Sequence, residues 1–140
     1  MKVREAMTNS VDWVTPDTTV IEVAQLMKKD DVGSIPICKD HQMMGIITDR
    51  DIVLKVVATG GNTNNISAKD IMNTDIISVS ADQDVHEAAN LMSKYQIRRL
   101  PVLEAGKLVG IVALGDLATR KIHVNEAGDA LSDISQGAQH

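Results

Sequence analysis

The chain has 140 residues, 44% of them hydrophobic and 24% charged, which suits one domain or two small half-domains sharing a core. Fourteen basic against nineteen acidic residues leave a net charge of -5, which argues against a nucleic-acid coat protein held by global charge. One cysteine, Cys38, excludes an intramolecular disulfide framework and a cysteine-rich zinc site.

Only Trp13 and Tyr95 are aromatic and there is no Phe, so the core must come from Val, Ile, Leu, Met and Ala. The opening MKVREAMTNS has no apolar run behind its charges, so it does not read as a signal peptide. No stretch approaches the roughly 20 apolar residues that span a bilayer. A soluble, cytoplasmic protein without membrane contact is the expectation.

Shifted by 65 positions, the sequence matches itself without a gap. Residues 3–55 against 68–120 share thirteen identities in 53 positions, among them Met7/Met72, Asp17/Asp82, Met27/Met92, Pro36/Pro101, Gly45/Gly110 and Asp51/Asp116. That is an internal duplication. Further pairs, such as Ile35/Leu100 and Ile52/Leu117, exchange one aliphatic for another and keep a core pattern. The boundaries read as a first repeat at 1–58, a linker at 59–67 rich in Gly and Asn, a second repeat at 68–122 and a tail at 123–140.

Within the first repeat, Thr19 and Glu22 have the spacing of a capping box, and Val20, Val23, Ala24 and Met27 follow at helical spacing. That helix ends by about residue 30. The runs 34–38 and 43–47 flank the polar turn 39–42, a strand-turn-strand signal, and a second helix covers about 49–57. The second repeat copies this: a cap at Asp84 and Glu87, a helix to about 95, runs at 100–103 and 108–112, and a helix from about 115 to 121. The order per half is strand, helix, strand, strand, helix. One half cannot bury its apolar face well alone, so two copies should stack face to face with pseudo-two-fold symmetry. Stacking would leave two equivalent clefts between them, where ligands tend to sit.

The run Val32-Gly-Ser-Ile-Pro-Ile with Gly45-Ile-Ile-Thr-Asp-Arg-Asp51-Ile resembles a cystathionine-beta-synthase (CBS) domain. So does Ile97-Arg-Arg-Leu-Pro-Val with Gly110-Ile-Val-Ala-Leu-Gly-Asp116-Leu. Two in tandem resemble a CBS pair, or Bateman module, of the small stand-alone bacterial type, over residues 1 to about 122. The resemblance implies an α+β, sandwich-like fold of tandem β-α-β-β-α domains. It also implies regulation rather than catalysis. The ligand would be adenosine-containing (AMP, ADP, ATP, an NAD-type dinucleotide or S-adenosylmethionine), bound in the clefts, with a signal passed to an effector protein that the sequence does not name. A homodimer is implied as well, and no cofactor is required.

By the same resemblance, Thr48 and Asp51 form a ribose motif. A carboxylate can accept from both ribose hydroxyls, and charge-assisted bonds are the stronger kind. The same Thr-x-x-Asp spacing is also a helix cap, so the residues alone leave both readings open. The second copy keeps Asp116 but has Ala113 in place of the threonine. Arg98 and Arg99 would hold phosphates, or else form a solvated or ion-paired strand edge. The resemblance groups Asp116 and these arginines with Thr8, Asp12, Val32 and Gly33. It groups Asp51 and Thr48 with Gly33, Ser34, Asn73, Ile77, Ile97 and Arg98.

The histidines at 41, 86, 123 and 140 show no metal spacing and read as solvated. Cys38 and the methionines at 27, 43, 44 and 92 read as core. No triad signature, P-loop or HExxH is present, so the sequence shows no machinery for an enzyme. Apolar residues at 124, 127, 130, 131 and 134 suit an amphipathic tail helix that could dock at a subunit contact, or a frayed terminus. Two rivals remain: a ligand-independent interaction scaffold with vestigial clefts, and nucleic-acid binding at Arg98, Arg99, Arg120 and Lys121.

Overall fold

A computed structural model describes residues 1–119, with side-chain environments through Leu117. The Arg120 and Lys121 patch, His123, His140 and the tail at 123–140 lie outside the described residues. In chain order the elements are α1 (Val3–Ala6), α2 (Val20–Asp30), β1 (Ser34–Lys39), β2 (Gln42–Thr48) and α3 (Asp49–Ile52). A π-helical turn at Val53–Val57 continues α3. Then come α4 (Ala68–Ile71), α5 (Val85–Tyr95), β3 (Arg99–Glu104), β4 (Lys107–Ala113) and α6 (Leu114–Thr119).

The chain forms two compact units that do not coincide with the sequence repeats. One holds Asp12–Ile76; the other holds Met1–Val11 and the described residues from Ile77 onward. The start of each repeat therefore belongs to the unit built mainly from the other.

In the unit Asp12–Ile76, α2 is capped by Thr19, whose Oγ1 accepts from Glu22 N at 3.4 Å, and it ends where Asp31 turns left-handed at φ 54°. Strands β1 and β2 pair antiparallel through a turn with Asp40 at φ 52° and His41 at φ 67°. Two positive φ values in a two-residue loop match the twist of the flanking strands. The core is Val20, Val23, Met27, Ile35, Ile37, Ile47, Ile52 and Val56, joined by Ala68 and Ile71 of α4.

The other unit repeats the scheme. The Asp84 side chain caps α5 by accepting from His86 N at 2.8 Å, while the Glu87 carboxylate accepts from Gln83 Nε2 at 2.6 Å. Strands β3 and β4 pair through Ala105 and Gly106, both at positive φ. Val3 and Ala6 of α1 enter this core beside Val85, Ala88, Ala89, Met92, Leu100, Val102, Leu114 and Leu117.

Three expectations need correction. The strand expected to open each repeat is a single bridge, Val14 to Ile37 and Val79 to Val102. Turns compete for the next donors: Thr15 N goes to Thr18 Oγ1, and Ser80 N goes to Gln83 Oε1. Pro16 then has no N–H to extend a ladder. Second, Met44 is 42% exposed while Met43 is buried, because side chains on β2 alternate between faces. Third, α1 and α4 were not expected, being too short to show a periodicity.

Candidate functional site

The Thr-x-x-Asp of the first repeat falls at the junction of β2 and α3. Thr48 ends the strand and Asp51 sits in the first turn of the helix. A full capping box forms there. Thr48 Oγ1 accepts from Asp51 N at 3.2 Å, and Asp51 Oδ2 accepts from Thr48 N at 2.9 Å. Thr48 Oγ1 also donates to Asp51 Oδ2 at 2.9 Å.

Two further residues complete the cluster, Asn73 from 22 residues along the chain and Lys55 from one turn on. Asn73 Nδ2 donates to Oδ2 at 2.7 Å, and the Lys55 ammonium lies 3.3 Å from Oδ1. Lys55 Nζ also donates to Ile71 O at 3.0 Å and to Asn73 Oδ1 at 3.2 Å. Asn73 is fixed by its backbone, which exchanges both amide bonds with Ile46 of β2 at 2.9 and 3.0 Å. Gly45 permits this approach: a Cβ there would lie 2.8 Å from both Asn73 O and Met72 Sδ.

Asp51 thus shows 13% of its side chain while Lys55 shows 43%, so the carboxylate is recessed and the ammonium stands at the rim. Oδ2 receives three donors and is saturated. Oδ1 faces the ammonium and retains acceptor capacity, since a carboxylate oxygen can take more than one donor.

Gly33 and Ser34 belong to the same unit. Gly33 O accepts from Asp49 N at 2.9 Å, which ties the start of α3 to the start of β1. A Cβ at Gly33 would lie 3.1 Å from Asp49 Oδ2, so glycine keeps this corner open. Val32 is half-buried against the core of this unit, and Asp12 is exposed at its start.

The copy in the other unit has Ala113 in place of the threonine. Asp116 Oδ2 accepts from Ala113 N at 3.2 Å, the same strand-to-helix bond without the threonine hydroxyl. Arg98 O accepts from Leu114 N at 2.8 Å, and Arg99 pairs with Ala113 across β3 and β4. Both arginines are therefore brought by their backbones to the junction that carries Asp116. Thr8 is exposed and exchanges backbone bonds with Ile111 at 2.8 and 3.0 Å. Ile77 and Ile97 pack against the core of this unit.

Of the residues grouped with Asp51 in the sequence, Thr48 and Asn73 contact it directly, Gly33 and Ser34 share its unit, and Ile77, Ile97 and Arg98 are carried by the other. Lys55 was missed. Its signal was present, because an acid followed four residues later by a base on a helix is an expected pair. Asn73 was named from the resemblance alone; its bond to Asp51 spans 22 residues and has no local signature.

Among the described residues no group of three His, Cys, Asp or Glu side chains could hold a metal, and no helix is long and apolar enough to cross a membrane. Burial pushes the Cys38 thiol up to about 11, which keeps it unreactive.

Comparison with known proteins agrees with this layout. The family model for the CBS domain matches residues 3–58 and again 68–122. The CBS domain-containing protein YhcV of Bacillus subtilis is 40% identical over 138 residues, covering 99% of this chain and 98% of that protein. Hypoxic response protein 1 of Mycobacterium tuberculosis is 38% identical over 116 residues, covering 82% and 81%. A crystal structure of Hypoxic Response Protein I with two coordinated zinc ions superposes with a TM-score of 0.79 at 36% identity, covering 86% of this chain and 98% of that one.

Proposed function

Because the chain belongs to the CBS-domain family, whose tandem pairs are regulatory and often ligand-binding modules, we propose that it senses an adenosine-containing ligand at Asp51 and relays the bound state to an effector protein. The observation that carries this reading is the state of the Asp51 carboxylate. Thr48 and Asn73 fix its orientation through Oδ2, and Oδ1 is left as an acceptor. A ribose diol is a fitting partner for an oriented, recessed carboxylate, because it donates two hydroxyl protons to a charged acceptor. The Asp116 junction is the weaker site, as it lacks the threonine hydroxyl, although Arg98 and Arg99 offer guanidinium groups for phosphates.

Calorimetric titration with AMP, ADP, ATP, NADH and S-adenosylmethionine tests the reading. At least one should bind, and Asp51→Ala should weaken it at least several-fold, since a charge-assisted hydrogen bond contributes about 1.5–3 kcal/mol. Asp51→Asn, which keeps the shape, should weaken it as well. Absence of binding by all five ligands at millimolar concentration would overturn the proposal.

A second reading draws on the same carboxylate. Three bonds to Oδ2 make Asp51 a structural hub, as an interaction scaffold without ligand would need. Recovery of one effector protein by the wild type and by Asp51→Asn alike, unaffected by nucleotide, would favour that reading.

A further inference from the structure

We propose that Lys55 sets the charge class of the ligand, selecting a nucleoside phosphate over a sulfonium nucleoside. This rests on the reading of Asp51 as the ribose acceptor. The Lys55 ammonium has three contacts, all acceptors: Asp51 Oδ1 at 3.3 Å, Ile71 O at 3.0 Å and Asn73 Oδ1 at 3.2 Å. Two of its N–H donors go to Ile71 O and Asn73 Oδ1, and its charge is paired with the Asp51 carboxylate. Oδ2 is closed by Thr48 N, Thr48 Oγ1 and Asn73 Nδ2. A diol reaching Asp51 must therefore use Oδ1, an oxygen it shares with the Lys55 ammonium.

The consequences follow from charge. Lys55 is tethered by Ile71 O and Asn73 Oδ1, so its ammonium stays beside the bound ligand. A phosphate supplies an anionic acceptor for it. S-adenosylmethionine carries a carboxylate as well, but its sulfonium and ammonium groups leave it net cationic, so the Lys55 charge disfavours it relative to a phosphate. Uncharged adenosine gains nothing from the cation. Lys55 is 43% exposed, so solvent damps these terms to a modest factor.

Three ligands separate the possibilities: AMP, adenosine and S-adenosylmethionine, titrated calorimetrically into the wild type, Lys55→Met and Lys55→Arg. The wild type should prefer AMP over S-adenosylmethionine. In Lys55→Met that ratio should fall about five- to tenfold, with adenosine bound as well as before or better. Lys55→Arg should keep the preference. In the wild type the advantage of AMP over adenosine should also shrink as ionic strength rises from about 0.01 M to about 1 M, a test that needs no variant. A wild type that binds AMP with no preference over S-adenosylmethionine overturns this inference alone. So does a ratio in folded Lys55→Met within twofold of the wild-type value, or an AMP advantage that salt does not change. A wild type that binds none of the three overturns this inference, and the parent reading falls with it when ADP, ATP and NADH fail to bind as well.

Discussion

Cys38 is 1% exposed on β1, and burial raises its thiol to about 11 from the ordinary 9.0. The thiolate is the reactive form, so near pH 8 the folded protein should react with iodoacetamide about a hundredfold more slowly than the denatured chain on ionisation alone, and access slows it further. The sign of the linked stability follows from the raised value. The neutral thiol is favoured in the fold, so its contribution is complete below pH 9 and is lost as pH rises toward 11. Labelling of native protein at the denatured rate would show the site to be open. Here the sequence was informative: an apolar run ending on cysteine, with leucine in the copy, reads as core. Lys55 and Gly45 were less legible. Lys55 has a helical partner in Asp51, but its bonds to Ile71 and Asn73 need the tertiary fold. Gly45 recurs as Gly110, and only coordinates reveal that Asn73 O and Thr8 O, respectively, fill the space a Cβ would take.

The two long helices and the two hairpins were readable because each carries its own periodicity and turn chemistry. The four-residue helices α1 and α4 have neither. They are held from outside, by the core contacts of Val3, Ala6, Ala68 and Ile71 and by ion pairs at corresponding positions. Arg4 of α1 pairs with Asp82 and, at 3.5 Å, with Glu104; Lys69 of α4 pairs with Asp17 at 2.8 Å. Arg4 holds the Asp82 carboxyl below its ordinary 3.8, chiefly through the hydrogen bond between them. A lowered carboxylate contributes stability above the unfolded value and loses it as pH falls through the folded one. Asp82→Asn should therefore lower the melting temperature slightly at pH 6, and the gap to wild type should close below pH 3.8. Both groups are well exposed, so added salt should narrow the gap too. A gap that persists unchanged in acid would assign the effect to packing instead.

Duplication was plain in the sequence, yet the repeat is not the unit of packing. The core of Asp12–Ile76 takes Ala68 and Ile71 from the second repeat, and the core of the other unit takes Val3 and Ala6 from the first. Backbone bonds stitch the exchange: Ala68 N to Thr18 O at 2.7 Å, Lys69 N to Pro16 O at 2.9 Å, Val3 N to Gln83 O at 2.8 Å and Arg4 N to Ala81 O at 3.0 Å. A self-comparison finds which residues are homologous; it does not report which copy each one packs against. The consequence is testable with three fragments. A fragment of residues 1–58 omits Ala68 and Ile71, forfeiting about 3–4 kcal/mol of buried apolar surface, a large share of what so small a unit can hold. It also loses Asn73 from Asp51 and from the edge of β2. A fragment from residue 68 onward omits Val3 and Ala6 in the same way. A fragment of residues 12–76 keeps every buried member of its core. By circular dichroism and urea titration, 12–76 should show a cooperative transition, while 1–58 and the fragment from 68 onward should be largely unfolded. Mixing the two unfolded fragments should restore structure, since each supplies what the other lacks. Independent folding of 1–58 with the stability of 12–76 would mean that the exchanged segment adds nothing to the core.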